Sequence, residues 1–190
     1  METQRVVRER SESKTQDLDG FLASVQGRAY RIAQLATRNK EDALDLVQDA
    51  MFKLVEKYSE RPAAEWQPLF YRILQSRIND WYRRNSVRSR HQGSLGTADQ
   101  DLGEDPIQTS KDPNGRTPDQ ELQTETSMEK LQSALENLPL RQQQAFLLRA
   151  WEGLNVKQTA HAMACAEGSV KTHYSRAIHS LREQLGEYWP

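Results

Sequence analysis

Residues 155–185 carry two apolar stripes at helical spacing on either side of a short run of small residues, and few folds satisfy that pattern. Val170, Tyr174, Ile178, Leu181 and Leu185 recur at three-, four- and seven-residue steps, so they stack along one side of a helix. Lys171, Thr172, Ser175, Arg176 and His179 fall on another face. Val156, Ala160 and Met163 mark the inner side of a shorter helix before it. Between the two, Ala164-Cys165-Ala166 leaves room for a sharp crossing. The segment predicts a helix-turn-helix. An exposed helix with short polar and cationic ends fits the major groove of DNA and can read base edges.

The rest of the chain bounds this reading. A length of 190 residues permits one domain or two small ones, and a hydrophobic fraction of 36% is low for one compact core, so part of the chain reads as linker or tail. Net charge is -1, but it is unevenly distributed. Residues 72–90 hold six arginines against Asp80 alone, and residues 91–125 hold eight carboxylates against Lys111 and Arg116. A basic block suits nucleic acid, and an acidic block beside it avoids or mimics it. Cys165 is the sole cysteine, so no internal disulfide can form and a reducing compartment fits. No apolar run approaches the roughly 20 residues of a membrane span, and the N-terminus lacks a signal-peptide core. These features predict a cytoplasmic protein with no membrane partner.

Helical periodicity organises the chain into an all-α fold of two small domains. Residues 1–17 read as a disordered tail. A helix over 19–37 carries Leu22, Val25, Ala29, Ile32 and Ala36, with Asn39 ending it. A second over 41–58 carries Ala43, Val47, Ala50, Met51, Leu54 and Tyr58. Residues 59–67 read as a loop containing Trp66, and Pro68 suits the first turn of a third helix reaching about Arg88. The first domain spans 18–90, an acidic linker 91–124, and a second domain 125–187. In the last, Leu131, Leu135 and Leu138 mark one helix, and Pro139 starts another that Gly153 stops.

Three motifs in this order resemble a bacterial RNA polymerase sigma factor of the extracytoplasmic-function group, over most of residues 20–90 and 118–186. The first runs from Glu41 to Phe52 (EDALDLVQDAMF). The second is Phe70-Tyr71-Arg72-Ile73 followed by Asp80-Trp81-Tyr82-Arg83-Arg84. The third is Leu135 to Pro139 with Gly168-Ser169-Val170-Lys171-Thr172 and Ser175-Arg176-Ala177. The resemblance implies a region 2-like bundle and a region 4-like helix-turn-helix. It implies partners: core RNA polymerase, through its β′ coiled coil and β subunit, promoter DNA, and an anti-sigma factor. It also implies a chain that is monomeric when free. Its function would be to direct core polymerase to promoters and assist their melting, with no enzymatic activity.

Site residues follow from the same motifs. Asp45, Leu46, Gln48, Asp49 and Phe52 would bind core polymerase, with Leu46 as an apolar anchor. Trp66, Tyr71, Arg72, Arg77, Arg83, Arg84 and Arg88 would meet the minus-ten element. Trp66 has two readings, a holder for an unstacked base or a plug over the helices. Glu167, Lys171, Thr172, Ser175 and Arg176 would meet the minus-thirty-five element. The chain departs from the usual pattern at Leu69, Ser76, Gln143, Gln158, Thr159, Ala164 and Ala166. Gln143 stands where an arginine is common, Ala164 where glycine often makes the turn, and Ala166 where serine often caps the recognition helix. His161, Cys165, His173 and His179 do not converge as the three or four ligands a metal needs, so neither metal nor other cofactor is expected. No catalytic constellation or glycine-rich phosphate loop is legible. The alternative is a helix-turn-helix regulator that binds operators without polymerase, which explains residues 128–185 and leaves the first domain idle.

Overall fold

A computed structural model of the chain describes the backbone of residues 2–91 and 128–188, and side-chain surroundings for 16–85, 128–186 and 188. The described residues form seven α-helices and no strand: α1 (Glu2–Thr37), α2 (Lys40–Tyr58), α3 (Ala63–His91), α4 (128–136), α5 (Leu140–Phe146), α6 (Val156–Met163) and α7 (Glu167–Leu185). A π-helical turn (Leu147–Trp151) follows α5, and a 3-10 turn (Gly186–Tyr188) follows α7. The all-α expectation holds. The linker read at 91–124 lies outside the described residues, except His91, which ends α3.

α1, α2 and α3 pack around one apolar centre. Val25, Ala29, Ile32 and Ala36 of α1 meet Ala43, Val47, Ala50 and Leu54 of α2 and Phe70, Leu74 and Ile78 of α3, all buried. The alanines let the helix axes approach closely, and the branched chains fill the grooves between them. Leu46 joins this core at 4% exposure.

Three boundaries differ from the sequence reading. α1 begins at Glu2, so the tail read as disordered is helical: its Glu, Arg, Gln and Lys residues favour helix, and the first glycine is Gly20. Asn39 does not end α1. Arg38 ends it in a left-handed conformation (φ 53°), and Asn39 caps α2 by accepting from the Asp42 amide at 3.0 Å. α3 begins at Ala63, so Trp66 is helical and Pro68 lies inside the helix rather than opening it. Two prolines compete as start signals here. Pro62 wins because Ala63-Ala64-Glu65 are strong helix formers and its carbonyl accepts the Glu65 amide at 2.9 Å.

The helix-turn-helix forms as its sequence predicts. Asn155 and Gln158 exchange side-chain bonds with each other's backbone amides, both at 2.9 Å, and so cap α6. Gln158, a departure from the usual pattern, therefore has a structural role. Ala160 and Met163 are buried, and Val156 is half-buried. Ala164 then turns the chain at φ 50°, ψ 51°, and the Cys165 amide closes back on the Ala160 carbonyl at 3.1 Å. Val170, Ala177, Leu181 and Leu185 bury one side of α7. α7 starts without a side-chain cap, as Ala166 predicts.

A left-handed backbone costs an L-residue about 1–2 kcal/mol, whereas glycine there loses only about 0.5–1 kcal/mol of extra chain entropy on folding. Ala164→Gly is therefore expected to stabilise the protein by up to about 1 kcal/mol. Urea unfolding followed by circular dichroism would register it as a higher midpoint, and an unchanged or lower midpoint would contradict the strain assigned to this turn.

Candidate nucleic-acid interface

α7 presents the donors that groove recognition needs. Lys171, Thr172, Ser175, Arg176 and His179 are exposed along one face, and Glu167 is exposed in the first turn. The opposite face is anchored twice. Tyr174 stacks on Phe146 of α5, with ring centroids 6.2 Å apart and planes 15° from parallel, and Arg149 lies over the same ring. Two donors are partly engaged within α7 itself: the Thr172 hydroxyl donates to the Gly168 carbonyl at 3.1 Å, and His179 pairs with Glu183 at 3.3 Å.

α2 offers a second surface of another kind. Asp45, Gln48 and Asp49 are exposed, and Phe52 is 75% exposed. Leu44 and Val55, which the sequence reading did not select, are exposed beside them at 47% and 43%. Leu44, Phe52 and Val55 lie eight and three residues apart, on one side of α2 with Gln48 between the first two, so this apolar ridge was available from spacing. Leu46 falls on the buried side, because residues 43, 46, 47, 50 and 54 share the face turned to α1 and α3. It is a core residue rather than an exposed anchor.

α3 carries the basic block. Arg72, Arg83 and Arg84 are exposed; Arg83 bonds Asp80 at 3.1 Å, and Arg77 lies 3.8 Å from Asp49 of α2. Arg88 continues the helix. Two of the expected DNA contacts are not on the surface. Trp66 is 2% exposed, packs its ring beside Phe21 at 5.9 Å, and donates its indole N–H to the Tyr58 carbonyl at 3.2 Å. It is the plug of the two readings, because the helical start at Ala63 turns it inward. Tyr71 is fully buried, edge-on to Phe70 at 5.3 Å.

Tyr71 is buried because the second half of the chain covers it. α3 packs on α6, and a row of polar bonds joins the halves. Arg28 of α1 donates its Nε to both carboxylate oxygens of Glu152 at 3.2 Å, and the Glu152 side chain has no exposed surface. Gln67 donates to the Glu152 carbonyl at 3.1 Å. The Tyr71 hydroxyl lies in the field of this pair. Burial first, and then the neighbouring carboxylate, push its pKa well above the ordinary tyrosine value. Gln144 donates to Asn79 at 3.1 Å. Gln143 donates to the carbonyls of Leu35 and Leu135 at 3.3 and 2.9 Å, so the glutamine at this departure is an internal tie at 3% exposure. The π-helical turn places Glu152: the extra residue per turn directs residue 152 inward while Trp151 stays 42% exposed. Across the same boundary, burial and the Arg72 guanidinium hold the His161 pKa below the usual histidine value.

Comparison with known proteins decides what these surfaces belong to. Residues 21–88 match the family described as Sigma-70 region 2, and residues 128–181 match Sigma-70, region 4. The chain is 29% identical over 162 residues to the ECF RNA polymerase sigma factor SigM of Mycobacterium tuberculosis, covering 83% of this chain and 71% of that one. It is 27% identical to the RNA polymerase sigma factor SigV of Bacillus subtilis, covering 82% and 83%. Among solved structures it resembles the sigma factor RpoE of Bartonella quintana, crystallised with the anti-sigma factor NepR, at 25% identity and a TM-score of 0.63, covering 89% of this chain and 96% of that one.

The chain belongs to the extracytoplasmic-function sigma factors.

A sigma factor binds core RNA polymerase and confers promoter specificity; it is a DNA-binding initiation factor rather than an enzyme. This accounts for both halves, whereas the operator-binding alternative accounts only for the second. In this sigma factor no described helix is long and apolar enough to cross a membrane.

Trp66→Ala separates the two readings of that residue. Removing a buried indole costs about 3–5 kcal/mol, so the variant should unfold at markedly lower urea. Normal stability combined with lost promoter opening would restore the base-stacking reading.

Proposed function

We propose that this sigma factor docks on the β′ coiled coil through the α2 ridge and reads the minus-thirty-five element with α7. The single observation that carries the reading is the exposure of Phe52, Leu44 and Val55 on one acidic helix face. A soluble chain gains nothing by leaving such a ridge in water, and an apolar centre ringed by Asp45, Gln48 and Asp49 suits a protein partner with cationic groups. Leu44 and Val55 take the anchoring role first assigned to Leu46.

In the second domain, Lys171, Thr172, Ser175 and Arg176 enter the major groove, and Glu167 approaches it from the helix start. In the first, Arg72, Arg77, Arg83, Arg84 and Arg88 form the cationic side of the minus-ten contact. Residues 18–90 and 125–187 act as the two functional domains. The free protein is a cytoplasmic monomer, and an anti-sigma factor is a fitting regulator, as the Bartonella quintana relative has one.

In vitro transcription with purified core polymerase and a promoter library tests the activity; failure of the complete holoenzyme to initiate on any promoter would refute it. Phe52→Ala should weaken core binding by about 2 kcal/mol, a factor of roughly 30, with the helical spectrum intact. A fluorescence titration with unchanged affinity would reject the α2 surface. Arg176→Ala should cost about 1–3 kcal/mol and relax preference at one base if it grips a guanine edge. If it meets only phosphate, all promoters should weaken evenly and the salt slope should fall by about one. Promoter selection at two salt concentrations distinguishes these, and no change in either would exclude Arg176 from the interface.

A further inference from the structure

The turn between α6 and α7 lacks two common local fastenings. Ala164 holds its left-handed conformation without being a glycine, and α7 begins with no side-chain cap at Ala166. α6 is only eight residues long, and helices that short do not hold in water unaided. Backbone bonds close the turn in part: the amides of Cys165 and Ala164 donate to the carbonyls of Ala160 and His161 at 3.1 and 3.3 Å. The Met163 carbonyl, at the end of α6, is taken by a side chain instead. Arg141, in the first turn of α5, donates to it at 2.9 Å. A cation at this point also meets the negative end of the α6 dipole.

Arg141 is itself aimed. The same Nη1 donates to Oε1 of Gln144 at 3.4 Å, and Gln144 is 2% exposed. The Gln144 amide nitrogen is in turn bonded to Asn79, in the polar row that Gln67, Gln75 and Asn79 form along α3. The guanidinium is thus held over the turn from a fixed base. Its charge is felt there: burial pushes the pKa of the half-buried Cys165 thiol up, and Arg141 opposes that push. At the other end of α6, Arg149 plays the same part. It donates to the Leu154 carbonyl at 2.7 Å, just ahead of the Asn155 cap, while its guanidinium lies over the Tyr174 ring of α7. α6 is therefore gripped at both ends from one segment, residues 141–149.

We propose that Arg141 is a positioning residue for minus-thirty-five recognition: it sets the angle at which α7 leaves the turn, and so the register in which every groove-facing side chain arrives, without touching DNA itself. A residue acting at the turn moves the α7 face as a unit. Lys171, Thr172, Ser175 and Arg176 are then displaced together, so its loss blurs several adjacent base preferences, whereas loss of a reading side chain blurs one. The proposal rests on the reading of α7 as the helix that enters the groove.

The test uses holoenzyme reconstituted with full-length Arg141→Gln and Arg141→Lys chains, in promoter selection at two salt concentrations, alongside urea unfolding of the free proteins. Arg141→Gln should lose preference severalfold at two or more adjacent minus-thirty-five positions, with the salt slope unchanged. Arg141→Lys keeps a cation and a donor at the turn and should recover most of that preference. In the free protein Cys165 is the sole thiol. Its alkylation should shift to higher pH in Arg141→Gln, because the opposing charge is gone, and should keep the parental profile in Arg141→Lys. A salt slope lower by about one with base preferences intact would make Arg141 a phosphate contact and overturn the proposal. A lower unfolding midpoint with the preference profile intact would reduce Arg141 to a structural tie and overturn it equally. The reading of α7 fails differently, through a parent holoenzyme indifferent to the minus-thirty-five sequence.

Discussion

The buried carboxylate of Glu152 constrains how the halves of this molecule meet. A carboxylate without solvent must be paired, and Arg28, from the far end of the chain, pairs it through both oxygens. The pair is weak evidence for stability, because desolvation offsets much of the attraction. Its consequence is specificity of arrangement. Glu152 can be buried only where α1 supplies the guanidinium, so the pair fixes which face of α3 the second half covers. The π-helical turn before it has the same logic. Without the extra residue, position 152 would rotate away from Arg28, and Trp151 would take a different outlook.

The arrangement divides the molecule's surfaces by chemistry. The α2 ridge is apolar with an acidic border and lies away from the seam. The α7 face is cationic and hydroxyl-bearing, and it too is open. Only the α3 row is closed, and it is the only one of the three built mainly from neutral polar residues. Neutral amides bond well to one another and to backbone carbonyls, so they can close an internal contact without a counter-charge. Arginines could not, since burying them against α6 would require a carboxylate for each.

Much of this was legible in the sequence. The helix-turn-helix followed from the 170–185 stripe and the small residues at 164–166, and Ala164 adopts the left-handed turn that its place in the pattern requires. The exposed face of α7 followed from the same periodicity. The acidic neighbours of Leu46 suggest an exposed anchor, but its helical phase with residues 43, 47, 50 and 54 assigns it to the core. Pro68 reads locally as a helix start, which leaves Trp66 in a loop, whereas α3 begins at Ala63 and turns the indole inward. The seam could not be read at all: Gln67, Gln75, Asn79, Gln143 and Gln144 have the composition of solvated surface, and nothing local reveals that a distant carboxylate and guanidinium enclose them.

Gln143 illustrates what a departure from a family pattern can mean. An arginine at that position would carry a charge into a site with 3% exposure, between the carbonyls of Leu35 and Leu135. Two carbonyls do not neutralise a guanidinium, and the charge would have to be drawn outward, toward solvent or a phosphate. Glutamine is neutral, and its two amide protons match two acceptors, one from each half of the chain. The same position can therefore serve either an outward contact with DNA or an inward tie between halves, and the choice turns on charge. In this chain glutamine favours the inward tie. One of its bonds crosses to α1 and the other stays within the second half, so a single neutral amide ties the two cores together without bringing in a charge.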